Sequence, residues 1–382
     1  MGLLGSQPLA SHFRRVAGSC CRRAIPRRLF SKRPFQADDL VLLRNPNDRY
    51  APPILTRPLK AGRRIESHRG VVLHDDLIGS SARDVVQAQT PRTTKGTVGA
   101  EYRLHQVTLD DYCRLSRRLV TPIYPADANL IVSLLDLHPA TAEDESHARM
   151  EILEAGTGHG SLTLHLSRAL RSCHAKLHTI ELSAKFSAHA QDIVKGFRGG
   201  IYAQNVDFHV GDVSQWIQQE KARREDSEAP FLAHAFLDLP SADNHLATVA
   251  NALKTDGTLI VFNPSITQIT ECATRVKDEG IQLDLETVIE LGLNGSSGGR
   301  EWDVRFVRPR ATQKQESEQE LSEPDGSPVP EHEDARTDSE IKAPESATPE
   351  PRRWSLVCRP KVGERITGGG FLGVWRKHRD MQ

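Results

Sequence analysis

The distribution of apolar and polar positions divides the chain into segments that favour different secondary structure. Between residues 65 and 118, the sequence shows short β-like runs, such as 70–74 and 84–88, with glycines and Pro91 placed between and after them. This pattern is typical of a small all-β module. The preceding segment 38–64 carries four prolines and several turn residues, and it predicts irregular structure.

From residue 119 onward, short apolar runs alternate with segments that are apolar at helical spacing. The predicted strands lie at 150–154, 177–181, 206–210, 233–237 and 258–262, and the predicted helices at 129–137, 161–170, 183–197 and 244–253. Alternation of this kind indicates βαβ units and a mostly parallel sheet. We therefore expect an α/β fold, Rossmann-like, preceded by a small all-β domain.

The apolar pattern is lost after the predicted sheet and then returns. Residues 311–350 contain twelve acidic residues, three basic residues, five prolines and no aromatic residue. This composition favours a disordered acidic insertion. Two apolar runs, at 354–358 and 371–375, then indicate a terminal hairpin that returns to the sheet. The α/β domain is therefore expected to comprise 119–310 and 351–382.

Charge is strongly segregated, although Lys plus Arg and Asp plus Glu number 50 each. Residues 1–37 hold eight basic residues and no acidic residue, with serines interspersed. This composition is typical of a mitochondrial transit peptide and predicts a location in the matrix; a basic arm that binds nucleic acid is the alternative. The six cysteines form no zinc-binding pattern, and no apolar run is long enough for a membrane span.

A glycine-rich turn, E-A-G-T-G-H-G-S at 154–161, follows the first predicted strand of the α/β domain. Such a turn lets a ligand approach the backbone, and the next helix offers free N–H groups. Glu181 ends the second strand, where a carboxylate suits the two hydroxyls of a ribose. Asp212 ends the third strand, where it could hold the exocyclic amine of an adenine or merely cap a helix, and Asp238 ends the fourth.

A nicotinamide-dependent dehydrogenase also combines a glycine loop with a carboxylate after the second strand. The spacing E-x-G-x-G-x-G differs, however, from the G-x-G-x-x-G of those enzymes. The D-L-P at 238–240 is also not expected of a dehydrogenase. The sequence therefore favours a methyltransferase that uses S-adenosyl-L-methionine.

Four separated motifs resemble, in order, those of the tRNA (adenine-N1)-methyltransferases that modify adenine 58 of the T-loop. The motifs are H-D-D-L-I-G at 74–79, I-Y-P-A-D-A-N-L-I at 123–131, I-L-E-A-G-T-G-H-G-S-L-T at 152–163 and R-E-W-D-V-R at 300–305. The last strand, near 368–377, is similar as well. The resemblance covers roughly residues 65–310 and 352–377.

The resemblance implies a class I methyltransferase domain, S-adenosyl-L-methionine as cofactor and tRNA as substrate, while the cysteine pattern and the short apolar runs predict no metal and no membrane. It implies a tetramer, either of identical chains or with a non-catalytic partner subunit. It also implies that Asp238 is the catalytic residue. The glycine loop and the resemblance together give these candidate cofactor-binding residues: Glu154, Gly156, Gly158, His159, Gly160, Ser161, Leu162, Glu181, Asp212 and Val213.

The chain departs from the family pattern at two places. The family motif continues D-x-P-x-P-W, but S-A-D at 241–243 follows Pro240, so the expected tryptophan is missing. Where the family often has an arginine one turn after the ribose-binding glutamate, this chain has Phe186 beside Lys185. The first departure leaves a small molecule or a protein open as the methyl acceptor. A non-catalytic, tRNA-binding subunit is the third alternative.

Overall fold

The structure is a computed structural model. The residues that it describes are 33–48, 51–90, 99–140, 148–171, 173–292, 300–307, 354–360 and 368–379. Most of the predicted transit peptide at 1–37 and all of the acidic segment 311–350 lie outside these residues. No helix in the described part of the chain is both long and apolar enough to cross a membrane.

The first part of the chain forms a β module. Its elements are β1 (Val41–Arg44), β2 (Ile54–Leu55), β3 (Arg64–Ser67), β4 (Gly70–Leu73), α1 (His74–Leu77), β5 (Val85–Gln87) and β6 (Glu101–Gln106). Four of the strands form an antiparallel sheet in the order β2-β1-β6-β5, and β3 pairs with β4 in a separate hairpin. Leu43, Leu59 and Leu104 are buried in its core. The predicted N-terminal β domain is therefore confirmed.

The β module begins earlier than its sequence pattern predicts. Strands β1 and β2 lie within 38–64, for which the prolines predict irregular structure, and β1 is buried over Val41, Leu42 and Leu43. The prediction for this segment is wrong because its prolines flank the two strands rather than interrupt them. Proline is compatible with the ends of strands, where no ladder hydrogen bond is lost.

The remaining described residues form the α/β domain. Its elements, in chain order, are α2 (Leu109–Leu115), α3 (Pro125–Leu135), β7 (Met150–Ala155), α4 (Ser161–Ala169), β8 (Ala175–Glu181), α5 (Ala184–Gly196), β9 (Val206–Val210), α6 (Val213–Ala222), β10 (Leu232–Leu237), α7 (Leu246–Ala252), β11 (Leu253–Asn263), α8 (Ile266–Asp278), β12 (Leu283–Gly292), β13 (Arg300–Val307), β14 (Ser355–Pro360) and β15 (Gly368–Lys377).

These strands form one sheet in the order β14-β13-β12-β15-β11-β10-β7-β8-β9. The five strands from β11 to β9 run parallel, and the strands on the other side of β11 pair antiparallel. Apolar clusters cover both faces of the sheet. The carboxyl ends of the parallel strands meet at one edge, which is where ligands bind in open α/β sheets.

The two C-terminal apolar runs do not pair with each other. Strand β15 lies in the middle of the sheet between β11 and β12, whereas β14 lies at the sheet edge against β13. The return to the sheet is confirmed, but the prediction of a terminal hairpin is wrong. The partner of β15 is decided by burial rather than by proximity in sequence, because Trp375 fills the core with 0% of its surface exposed.

A fourth apolar cluster joins the β module to the α/β domain. Leu42 of β1 packs in it with Tyr112 of α2 and Phe197 after α5. The Tyr112 hydroxyl donates a hydrogen bond to the Ile193 carbonyl over 2.8 Å. Burial raises the pKa of this phenol well above its ordinary value, so the hydroxyl stays a donor.

Candidate active site

The glycine loop connects β7 to α4 and lies against the end of β10. Gly156 has a φ of 91°, and a Cβ atom built there would come within 2.1 Å of the Asp238 carbonyl oxygen. The Asp238 N–H donates to the Ala155 carbonyl over 2.8 Å, which holds the two strand ends together. Only glycine fits this close approach, so the loop is built to expose its backbone at the sheet edge.

An open cleft of about 470 Å³ lies over the carboxyl ends of β7, β8, β9 and β10. This volume is within the range of small-molecule sites. Five of the sequence-predicted residues line it: Gly156, Glu181, Asp212, Val213 and Asp238. The cleft is the place where the sequence predicts cofactor binding, and it brings the three predicted strand-end carboxylates together.

The Glu181 carboxylate is held at the wall of the cleft by two backbone groups. Its Oε2 accepts the Gly158 N–H over 3.0 Å, and its Oε1 accepts the Ser183 N–H over 3.1 Å. Each carboxylate oxygen has a second lone pair that stays available for a hydroxyl donor. The carboxylate is thus fixed between the glycine loop and the start of α5, in the position suited to the two hydroxyls of a ribose.

Asp212 both caps a helix and lines the cleft. Its Oδ1 accepts the Gln215 N–H over 3.0 Å at the N-terminus of α6. Its Oδ2 lies 3.9 Å from Nε2 of His245, which also lines the cleft. Capping therefore uses one oxygen, and the second oxygen remains on the cleft side for an amine donor.

Glu154 lies behind the glycine loop rather than in the cleft. It is 1% exposed, and its Oε2 accepts hydrogen bonds from the Thr163 hydroxyl over 2.6 Å and the Thr179 hydroxyl over 2.7 Å. Burial, with smaller contributions from the Asp238 and Glu181 charges, raises the pKa of this carboxyl to about 7, although the two hydroxyl hydrogen bonds lower it. Glu154 therefore lies beneath the loop, where its carboxylate binds two threonine hydroxyls. It is not placed to contact a cofactor directly, contrary to the prediction from the sequence.

The side chains after Gly158 also point away from the cleft. His159 is 2% exposed with its Nε2 3.1 Å from the Ser116 hydroxyl, and burial lowers its pKa to about 4. The Ser161 hydroxyl donates to the Ile123 carbonyl over 2.7 Å, and Leu162 is buried in the core. Any contact of these residues, and of Gly160, with a cofactor would therefore use backbone atoms.

Asp238 ends β10 and faces the cleft. Burial raises the pKa of its carboxyl to about 6, with a further contribution from the Glu181 charge. The group is therefore mainly ionised at neutral pH. Ser241, three residues later, has a φ of 52°, which a non-glycine residue adopts only where the surroundings hold it there.

An ion pair occupies the position where the family tryptophan is expected. Asp243 stands there and accepts from the Arg275 guanidinium of α8 over 3.1 Å. The turn after β10 is therefore secured to α8 by charge rather than by an aromatic ring.

His245, which no sequence pattern predicted, lines the cleft beside Asp212. Its Nδ1 is 2.8 Å from the Ser214 hydroxyl, so the ring orientation is set by α6. No motif singles it out among the 16 histidines of the chain. Its position shortly after the D-L-P segment is the signal that could have found it. Within the described residues, no group of three or more His, Cys, Asp or Glu is placed to hold a metal ion.

The chain is similar in sequence to known tRNA methyltransferases. A family model described as the tRNA methyltransferase complex GCD14 subunit matches residues 114–368. The chain is 33% identical over 256 residues to the tRNA (adenine(58)-N(1))-methyltransferase TrmI of Thermus thermophilus. The matched region covers 66% of this chain and 86% of that protein. It is 26% identical over 240 residues to the tRNA (adenine(57)-N(1)/adenine(58)-N(1))-methyltransferase TrmI of Methanocaldococcus jannaschii, covering 56% and 77%.

Two solved structures share the fold. The tRNA (m1A58) methyltransferase TrmI from Aquifex aeolicus superposes with a TM-score of 0.50 at 19% identity, covering 91% of this chain and 99% of that chain. A SAM-dependent O-methyltransferase from Thermotoga maritima superposes with a TM-score of 0.56 at 17% identity, covering 91% and 96%. At these identities the likeness concerns the fold, and it confirms the predicted class I, Rossmann-like methyltransferase architecture.

Proposed function

Because the chain belongs to the family of the tRNA methyltransferase complex GCD14 subunit, we propose that it methylates N1 of adenine 58 in tRNA. The observation that carries this proposal is the Asp238 carboxylate, which faces the cleft directly beside the glycine loop. The identity to the Thermus enzyme supports the same substrate. The family and the fold make the chain a methyltransferase that depends on S-adenosyl-L-methionine.

The residues of the cleft fit this cofactor. Glu181 presents two fixed carboxylate oxygens for ribose hydroxyls, and Asp212 presents Oδ2 for the exocyclic amine of an adenine. The backbone at Gly156 lines the cleft, and glycine places no side chain of its own there. When bound, the cofactor supplies a methyl group on a sulfonium centre. The chain's own residues bind it, orient the acceptor and stabilise charge.

Asp238 has the properties that attack by adenine N1 requires. N1 carries a lone pair and needs no strong base, so alignment and charge stabilisation decide the rate. The Asp238 carboxylate can accept an N–H from the N6 amine of the target base, which places N1 and offsets the positive charge that develops on the ring. Since its pKa is about 6, the group carries the required negative charge at neutral pH.

The two other readings of the sequence have less support. A non-catalytic subunit is disfavoured because Gly156, Glu181 and Asp238 are all present and assembled in one cleft. A small molecule or a protein as the acceptor is disfavoured by the match to the tRNA methyltransferase family. The ion pair of Asp243 with Arg275 keeps the turn after β10 ordered without the family tryptophan.

The proposal extends to where the chain works and with what. The acid-free, arginine-rich segment 1–37 supports import into the mitochondrial matrix and hence a mitochondrial tRNA substrate. The family supports a tetramer, either of identical chains or with a non-catalytic partner. Light scattering of the isolated chain, combined with its activity, separates these cases: an active tetramer indicates self-sufficiency, and an inactive smaller species indicates a required partner.

The function is tested by transfer of a tritiated methyl group from the cofactor to bulk mitochondrial tRNA, followed by digestion to nucleosides. We expect 1-methyladenosine as the labelled product. The matched control is a pair of transcripts that differ only in adenine or guanine at position 58, and only the adenine transcript should be labelled. Equal labelling of both transcripts, or label found only in protein or small molecules, would contradict the proposal.

A further inference from the structure

The segment 114–124, which we call the rim segment, comprises the last two residues of α2 and the connection to α3, and it lies along the glycine loop and α5. Three hydrogen bonds attach it there, two to the loop and one to α5. Ser116 is 3.1 Å from Nε2 of His159, the Arg117 carbonyl is 3.0 Å from Nε2 of His189, and the Ile123 carbonyl accepts from the Ser161 hydroxyl over 2.7 Å. These contacts hold the rim segment in a defined position beside the cleft. None of them uses a charged side chain of the segment.

The rim segment exposes three arginines: Arg114, Arg117 and Arg118. Within the described part of the chain, no carboxylate forms an ion pair with them. The nearby Asp111 instead pairs with Arg44 over 3.1 Å. The Arg118 guanidinium donates to the Arg114 carbonyl over 2.7 Å, which orients it without neutralising it. The result is a local positive charge on a segment of fixed position.

Exposed rings and apolar groups accompany this charge. Tyr124 is 43% exposed and Leu119 is 36% exposed. The Arg118 guanidinium carbon lies 5.7 Å from the centre of the Tyr124 ring. Leu182, which lines the cleft, is 75% exposed, and Lys185, three residues later at the start of α5, is exposed as well. Arginines without carboxylate partners next to exposed aromatic faces are typical of surfaces that bind unstacked nucleotides.

We propose that the rim segment is the RNA-binding surface next to the target nucleotide. Arg114, Arg117 and Arg118 contact the phosphates that flank the methylated base, and Tyr124 stacks on a neighbouring base. This inference rests on the proposed function, since an adenine that enters the cleft must bring its flanking phosphates across the rim. Proteins recognise RNA loops in this way because splayed bases offer faces for stacking.

The test uses the full chain with the double substitution Arg117→Ala and Arg118→Ala. The matched control is Arg171→Ala with Arg223→Ala. Both control arginines are exposed and follow the C-terminal ends of α4 and α6, at the sheet edge opposite the cleft. Affinity for a T-loop-containing tRNA transcript is measured at several salt concentrations, and affinity for S-adenosylhomocysteine is measured by calorimetry.

We expect the rim variant to bind tRNA more weakly and with a shallower salt dependence. The slope of log affinity against log salt should fall by about 1 for each phosphate contact removed. The control variant should keep the slope of the unchanged chain. Both variants should keep their melting temperature and their affinity for S-adenosylhomocysteine, because none of the four side chains lines the cleft.

A second pair of variants tests the stacking role of Tyr124. Tyr124→Ala should weaken tRNA binding about fivefold or more, whereas Tyr124→Phe should retain most of the affinity because the ring face is kept. Equal losses in both variants would contradict stacking and indicate a role for the hydroxyl.

The possible failures are distinguishable. If the unchanged chain binds and methylates tRNA but the rim variant shows the same affinity and slope, the rim proposal is wrong and the proposed function stands. If the unchanged chain is a tetramer by light scattering and neither binds nor methylates tRNA, both are wrong. If the rim variant keeps its tRNA affinity but changes the mass of the assembly, the segment is a protein interface and the proposal is overturned.

Discussion

The carboxyl groups in and behind the cleft have different surroundings in the fold. Glu181 is fixed by two backbone N–H groups, Asp238 faces the cleft, and Glu154 is enclosed beneath the loop. Burial raises the pKa of Asp238 to about 6 and that of Glu154 to about 7. Substitutions at the three positions should therefore affect turnover, cofactor affinity and stability in different proportions.

Asp238→Ala should lower the single-turnover rate of tRNA methylation by about 10²–10³, typical of one lost preorganised contact. Affinity for S-adenosylhomocysteine should change much less. Asp238→Asn should also be slow, because the amide is uncharged although it keeps an acceptor oxygen. Since the proposed mechanism requires the ionised carboxylate and its pKa is about 6, the rate of the unchanged chain should fall as the pH drops through about 6.

Asp243→Asn is the matched control for Asp238, because Asp243 follows closely in the chain but pairs with Arg275 of α8. Its rate of methylation should remain near that of the unchanged chain. A normal single-turnover rate in the folded Asp238→Ala protein would exclude the mechanism. Parallel losses of stability and cofactor affinity in both Asp238 variants would show that the residue only orders the turn.

Glu181→Ala should weaken binding of S-adenosylhomocysteine by about 1.5–3 kcal/mol, the value of a charge-assisted hydrogen bond. The affinity of Glu181→Gln for S-adenosylhomocysteine should lie between those of the unchanged chain and Glu181→Ala. The amide keeps an acceptor oxygen for one of the N–H groups of Gly158 and Ser183, but it loses the charge. Calorimetric titration measures both. Unchanged affinity in Glu181→Ala would rule out the ribose contact.

Glu154 and Glu151 should give stability changes of opposite sign. The folded pKa of Glu154, about 7, exceeds the ordinary 4.5, so the folded state binds more protons and its stability falls between pH 4.5 and 7. Glu154→Gln removes this cost and should be more stable than the unchanged chain at pH 8, by up to about 3 kcal/mol. The difference should vanish near pH 4.5.

The Glu151 carboxylate pairs with Arg224 over 2.6 Å and with His178 over 2.9 Å, and these partners hold its pKa near 2 despite the opposing effect of burial. Its stabilisation is present above pH 4.5 and is lost as the pH falls toward 2. Glu151→Gln should therefore be less stable than the unchanged chain at neutral pH. Urea denaturation at pH 5 and pH 8 measures both variants, and a Glu154→Gln protein no more stable at pH 8 would contradict the assignment.

At the scale of elements, β14 and β15 differ in their place in the sheet and in how they depend on the preceding chain. Strand β13 pairs antiparallel with β14, and Val307 lies opposite Ser355, so the ends of the intervening segment adjoin. Strand β15 instead completes the middle of the sheet, where Thr258 of β11 and Asp284 of β12 both lie opposite Arg376. The segment between β13 and β14 can therefore be shortened without disturbing the sheet, whereas β15 cannot be removed.

Deletion of residues 311–350, with a short Gly/Ser link, should leave activity and melting temperature nearly unchanged. The segment has few apolar residues to pack, and the two strands that it joins already end side by side. Truncation after residue 367, which removes β15 and the fully buried Trp375, should abolish cooperative unfolding. Thermal unfolding and methyl transfer measure both changes. A large loss in the deletion variant would show that the segment folds or binds a partner.

At the scale of the whole molecule, the β module and the α/β domain share an apolar cluster. Leu42, Tyr112 and Phe197 meet in it, and the Arg198 guanidinium donates to the Val107 carbonyl over 3.0 Å. The rim segment begins at the end of α2, directly after this junction. The β module thus fixes the start of the segment that runs along the glycine loop.

The destination of the molecule is a separate prediction that rests on residues 1–37. A fusion of residues 1–40 to a fluorescent protein should colocalise with mitochondria, because the segment is rich in arginine and free of acidic residues. The matched control replaces Arg14, Arg15, Arg22 and Arg23 by glutamine and should stay outside the organelle. A diffuse or nuclear signal from the unchanged fusion would show that the basic segment serves nucleic-acid binding instead.

Sequence alone determined the features that depend on neighbours along the chain. The strand predicted at 206–210 is β9 as observed, and the glycine loop at 154–161 lies where the pattern places it. The strand-end carboxylates Glu181, Asp212 and Asp238 could be grouped in advance because parallel strands end at one edge of a sheet. Local periodicity and sheet geometry are sufficient for such predictions.

Only the tertiary structure decided which way side chains turn and which strands pair. Glu154 and His159 belong to the loop motif, yet their side chains lie away from the cleft. Glu154 forms hydrogen bonds with Thr163 and Thr179, and His159 forms one with Ser116. The insertion of β15 between β11 and β12, and the entry of His245 into the cleft, likewise follow from contacts between residues far apart in the chain. Such contacts depend on burial and hydrogen bonding in three dimensions, which a one-dimensional pattern does not encode.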